Sequence, residues 1–131
     1  MTDRLVLNAG ALIALERNDR RMWARLDVAA EASIEVVVPS GALAQVWRGT
    51  ANQARLSQAL KKARVGEFDT LARAAGELCY AARSSDPIEA AVVLNAMGTT
   101  SVIVTSDPTD IRQLVRALPT EVGSTITILR A

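Results

Sequence analysis

SVIVTSDPTD, residues 101–110, decides the fold. Its first half, Ser101–Thr105, is a β-branched run of the length expected for a buried strand. Its second half, Ser106-Asp107-Pro108-Thr109-Asp110, sets a proline and two acids where a helix would begin. A strand that runs straight into a helix start is half of a β-α-β unit. The same order of signals recurs along the chain. Arg4–Leu7 is a hydrophobic run that ends at Asn8 and passes into Ala9–Arg17, a short helix with Leu12, Ile13 and Leu15 on its buried side. Asn18-Asp19 offers a cap for Arg20–Ala30, which presents Met22, Trp23, Leu26 and Ala30 at helical spacing.

Ile34–Val38 is a second β-branched strand, stopped by Pro39-Ser40-Gly41, which opens the helix carrying Gln45 and Trp47. Gly49-Thr50 breaks that helix, and Asn52–Ala63 forms another with Leu56 and Leu60 inward. Arg64–Phe68 is a short strand and Asp69 caps a long helix, Thr70–Arg83. Ser85 or Asp86 caps the next helix, with Pro87 in its first turn and Ile88–Ala96 as its body. Pro108–Ala117 is the last helix and Thr125–Leu129 the last strand. This alternation predicts an α/β fold of three layers, a mostly parallel sheet sandwiched between helices, forming one domain over residues 1–131.

Composition bounds the chemistry. At 131 residues with half of them apolar, the chain can build a core without metal or disulfide staples. Its single cysteine, Cys79, excludes an internal disulfide, fits a reducing cytosol, and reads as a small core residue in an alanine-rich helix. With no histidine, Ser–His and Cys–His catalysis and imidazole-based zinc sites are excluded. No stretch is long enough to span a membrane and no signal-peptide pattern is present, so a cytoplasmic protein is expected. The net charge of +1 argues for no partner by itself. Arg17, Arg20, Arg21 and Arg25, and then Arg48, Arg55, Lys61, Lys62 and Arg64, read mainly as solvated helix faces, a few of them as a phosphate-tracking rim.

Six polar residues, Asn8, Gln45, Asp86, Glu89, Asp107 and Asp110, are expected where strands hand over to helices. In an open parallel sheet, ligands collect beyond the carboxyl ends of the strands, so these side chains converge on one crevice. Four carboxylates held together repel unless protons or a divalent cation offset their charge, which points to Mg²⁺ or Mn²⁺. Each acid also has a structural explanation. Asp86 with Glu89, and Asp107 with Asp110, have the spacing of a helix cap and its first-turn acid.

VLNAGALIALERND, VVVPSGALAQVWRG, SSDPIEAAVVLNA and VIVTSDPTDIRQL together resemble the PIN domain, specifically the VapC-type toxins of bacterial toxin–antitoxin pairs. The resemblance runs from Arg4 to Leu129. It implies a small Rossmann-like sheet whose acidic cleft holds Mg²⁺ or Mn²⁺ for cleavage of single-stranded or loop RNA. By position, Asn8 stands where the family has its first aspartate, and Gln45 where many members have a glutamate. Glu89 takes the place of the aspartate before A-x-x-V/A, and Asp107 is the aspartate of T-x-D. Asp86 and Asp110 are supporting acids, and Ser106 or Thr105 adds a hydroxyl. Asn8, Glu89, Asp107 and Asp86 are thus the implied catalytic residues, and Asn8, Asp86, Glu89, Asp107 and Asp110 the implied metal set.

Amides at Asn8 and Gln45 keep oxygen donors but remove two negative charges, which weakens cation binding and favours one metal over two. Three readings of Asn8 stand: a naturally degenerate site, an introduced substitution that silences a nuclease, or a loss compensated by neighbouring acids. The alternative function is a PIN-fold module that binds RNA or protein without cutting. A phosphoryl-accepting receiver-like domain ranks lower, because the first strand lacks an acidic pair. The resemblance further implies a cognate antitoxin and a second copy of the chain as partners. Leu12–Leu15 with Met22-Trp23, and the helix around Val46-Trp47, are the surfaces expected to meet them.

Overall fold

A computed structural model describes all residues, Met1–Ala131. The strands are β1 (Arg4–Leu7), β2 (Glu35–Pro39), β3 (Arg64–Gly66), β4 (Ser101–Thr105) and β5 (Ile126–Arg130). The helices are α1 (Ala9–Glu16), α2 (Arg20–Glu31), α3 (Ser40–Val46), α4 (Ala54–Leu60), α5 (Ala72–Ala82), α6 (Pro87–Asn95), α7 (Pro108–Arg116) and α8 (Thr120–Gly123). The sheet order is β3-β2-β1-β4-β5. Every pairing is parallel, so the expected mostly parallel sheet is parallel throughout.

The central strands are continuous apolar runs because both of their faces are covered. Leu5 and Leu7 turn to one face, with Val36, Val38 and Val104, beneath Leu12, Leu15, Met22, Leu26 and Leu56. Val6 and Ile103 turn to the other, with Leu78, Val92, Val93, Ile111 and Leu114. The period-two alternation along β1 therefore sorts side chains between two cores.

Several local expectations are corrected. Ile13 and Ala30 are exposed, and Ala29 takes the inward position on α2. Asn52–Ala63 is not one helix: Ala51–Gln53 is a 3₁₀ turn and α4 ends at Leu60. Asp69 does not cap α5. It begins a 3₁₀ turn, Asp69–Leu71, and neither segment has a side-chain cap. Strand β3 stops at Gly66, where an added Cβ would sit 2.5 Å from Asn95 Oδ1. The short α8 had no periodicity to announce it, being a single turn opened by Pro119. Leu12, Leu15 and Met22 are fully buried, so they offer no surface to a partner.

The order β3-β2-β1-β4-β5 has one consequence for function. The chain builds outward from β1 to β3, then returns to place β4 on the other side of β1. Connections after β1 and after β4 therefore diverge, leaving a crevice between the carboxyl ends of those two strands. Asn8 follows β1 directly, and Asp107 follows β4 after a single residue, Ser106.

Candidate metal centre

At the end of β1, Asn8 is 5% exposed and is the N-cap of α1. Its Oδ1 accepts from Ala9 N at 2.8 Å, and its Nδ2 donates to Thr105 Oγ1 at 3.1 Å. The orientation of the amide is decided by Ala9 N–H, which needs an oxygen opposite it. Thr105 ends β4, is fully buried, and also accepts from Asp107 N at 3.0 Å. One hydroxyl thus ties the end of β1 to the start of α7. Gly10 keeps this junction close, since a Cβ there would lie 2.4 Å from Ser106 Oγ.

Asp107 starts α7 without capping it: no backbone N–H bonds to its side chain. Asp110 lies one turn on, and Glu89 projects from the first turn of α6. The carboxylate oxygens of Glu89, Asp107 and Asp110 lie within 4.8 Å of one another. Asp86 stands behind them as the N-cap of α6, with Oδ1 accepting from Ile88 N and Glu89 N, both at 3.1 Å.

No lysine or arginine forms an ion pair with these acids. The salt bridges of the chain are Arg4–Glu35, Lys62–Asp27 and Arg64–Glu35, all away from the cluster. Burial pushes the Glu89 carboxyl up to about 7, helped by the charges of Asp86, Asp107 and Asp110. Hydrogen bonding to Asp107 holds the Asp110 carboxyl above its usual value, with the Asp107 charge and smaller contributions from burial and Asp86 acting the same way. Hard oxygen donors, close together and unpaired with any basic side chain, fit a divalent cation such as Mg²⁺ or Mn²⁺.

Asn8, Asp86, Glu89, Asp107 and Asp110 are therefore gathered at one edge of the sheet. Gln45 is an amide outside the carboxylate trio. It lies in the last turn of α3, exposed, lining a groove with Ile13, Arg17 and Arg48. Asp86 and Glu89 also enter differently from expectation, because α6 follows α5 through a left-handed Arg83 and not a strand. Most of the basic residues are solvated or engaged elsewhere. Arg48 donates to the carbonyls of Ala44, Gln45 and Trp47, and Arg25 to that of Arg130.

Two polar anchors had no sequence signal. Buried Gln53 uses all of its bonding capacity, accepting from Arg48 N and Gly49 N and donating to Glu16 Oε1 and Val46 O. Arg130 donates to Ser106 O, tying the last strand to the loop that leads into Asp107.

No family model matches this sequence. No curated protein matches it either. Among solved structures, a chain of VapBC2 from Rickettsia felis, in the crystal bound to a DNA fragment from their promoter, superimposes with a TM-score of 0.69. The match covers 98% of this chain and 98% of that one at 13% identity. The fold is PIN-like. At so low an identity the shared property is this three-layer parallel architecture, and the chemistry rests on the residues themselves.

Proposed function

We propose that this chain is a single-domain, VapC-like nuclease that binds a divalent cation, Mg²⁺ or Mn²⁺, and acts on the phosphodiester backbone of single-stranded or loop RNA. The observation that carries the reading is the uncompensated trio Glu89, Asp107 and Asp110 at the switch point of a PIN-like sheet. A cation held there supplies Lewis acidity and charge neutralisation at phosphorus. The chain's own residues do the positioning. Glu89, Asp107 and Asp110 bring carboxylate oxygens within 4.8 Å of one another and would hold the cation, and Asp86 holds the backbone that carries Glu89. Thr105 holds the backbone of Asp107, and Asn8 holds the Thr105 hydroxyl. RNA as substrate, an antitoxin as partner, a second copy and a cytoplasmic setting follow from the resemblance to VapC-type toxins. No helix is long and apolar enough to cross a membrane.

A second reading is favoured by Asn8. Its amide is neutral and its polar atoms are already bonded within the fold, so the cleft lacks the charge that a carboxylate would add there. On this reading the chain binds cation, RNA or protein partner without turnover.

The test compares the chain, Asn8→Asp and Asp107→Asn, each with Mn²⁺ and with EDTA, for cleavage of single-stranded RNA and for the shift in Tm on adding Mn²⁺. Metal-dependent cutting by the parent chain, lost in Asp107→Asn, supports the nuclease. Cutting gained only by Asn8→Asp supports the binding module. No cutting and no Tm shift in any of them overturns both.

A further inference from the structure

We propose that a slot between α2 and the sheet binds a small amphipathic anion, an aliphatic monocarboxylate whose tail lies on the sheet and whose head meets Arg21 and Arg25. The cavity measures about 350 Å³, within the range of small-molecule sites. Leu5, Val102 and Leu129, from three neighbouring strands, form its floor, and Ala24 and Val28 of α2 form its wall. Strand register puts those three floor residues on one face of the sheet. Two of the chain's exposed large apolar side chains meet here, Val28 at 59% and Leu129 at 39%.

The two ends of the slot differ. At the foot of the strands, Ile34 N donates to Ala29 O and Glu35 N to Asp3 O, and Thr2 and Ile34 close the slot. At the other end, Arg25 donates to the carbonyl of Arg130, the last residue of β5. Arg21 lies one turn before Arg25 on the same flank of α2. Neither arginine belongs to an ion pair of the chain, and no acid lines the slot. An aliphatic floor takes an aliphatic tail, and two guanidinium groups at one end take a carboxylate. From Arg21 to Ala29 the helix rises ~12 Å, the extended length of a tail of about ten carbons. An α-helix, about 10 Å across with its side chains, is too wide for this volume, so a single thin chain is the occupant that fits. The slot shares no residue with the acidic cleft, and the inference stands apart from the nuclease reading.

Titration of the full chain with sodium decanoate, kept below its micelle concentration and followed by calorimetry and by Tm, tests this. One decanoate per chain is expected, with octanoate roughly tenfold weaker because two buried methylenes are lost. The double variant Arg21→Ala/Arg25→Ala should weaken decanoate about tenfold or more. Val28→Asp, which sets a carboxylate on the wall, should abolish saturation. Decyltrimethylammonium, with the same tail and the opposite charge, should not bind. None of the substituted positions is buried, and circular dichroism verifies that the fold is retained. Absence of both saturable heat and a rise in Tm overturns the proposal. So does binding that the variants leave unchanged or that decyltrimethylammonium matches. A Tm that rises with an acidic Glu/Leu peptide, or with protein concentration alone, and not with decanoate would give the slot to a protein and overturn it too.

Discussion

Asp86-Pro87-Ile88-Glu89 and Asp107-Pro108-Thr109-Asp110 are the same sequence phrase, an acid, a proline and a second acid one turn on, yet the two regions behave differently. Asp86 spends Oδ1 on two backbone N–H groups and caps its helix. Asp107 caps nothing, and its own N–H is held by Thr105. What precedes each phrase makes the difference. Asp86 follows a serine turn leaving α5, where Ser84 Oγ accepts from Asp86 N. Asp107 follows a buried strand whose last hydroxyl also bonds Asn8. The first acid is committed to the helix, and the second is left free to face Glu89 and Asp110.

The largest expected effect separates those roles. Asp107→Ala should weaken Mn²⁺ binding by roughly a hundredfold, read as loss of the Mn²⁺-dependent rise in Tm, with little change in metal-free stability. An Asp86→Ala chain that loses the metal response as completely would break the comparison. Next is Thr105→Val, which strips the acceptor from Asn8 Nδ2 and Asp107 N–H and should cost about 2 kcal/mol, measured by chemical denaturation without metal. Asp86→Ala should follow at about 1 kcal/mol, the usual cost of a lost N-cap, and Asp86→Asn should restore most of it.

The smallest effect concerns pH. The folded Glu89 carboxyl, at about 7, keeps its proton where an unfolded one near 4.5 has released it. Its contribution to stability is therefore fully present below about 4.5 and is lost as pH rises through about 7. Glu89→Gln should match the parent chain in acid and exceed it at pH 8 without divalent cation. Solvent reaches much of the side chain, so the gain should stay near or below ~1 kcal/mol. A thermal-melt series across that range that runs parallel for both chains would remove the electrostatic cost assigned to the cluster.

Much of the architecture was legible because period and punctuation are local. β1 and β4 are apolar runs bounded by polar residues, and both Asp-Pro pairs mark true helix starts. The acids of the cleft were legible for the same reason: they cluster at those starts. Gln45 was legible only as a polar position on α3, exposed in its last turn, because a position on a helix says nothing of how far that helix carries it from the sheet edge. Gln53 was invisible since a glutamine acquires meaning only when Glu16, Val46, Arg48 and Gly49 surround it. Tyr80 shows the converse, an aromatic in an apolar helix that faces outward because the inner face is already filled by smaller residues.

By itself the sequence determined that strands alternate with helices and that acids sit at the starts of α6 and α7, since hydrophobic period, proline and capping residues act over a few neighbours. Only the tertiary structure decided that β4 lies against β1, which brings Asn8, Thr105 and Asp107 into one hydrogen-bonded set and leaves Glu89 facing Asp107 and Asp110. Those contacts join residues about a hundred positions apart in one case. Their geometry depends on strand order, which is set by how two cores are packed and not by any local preference of the chain.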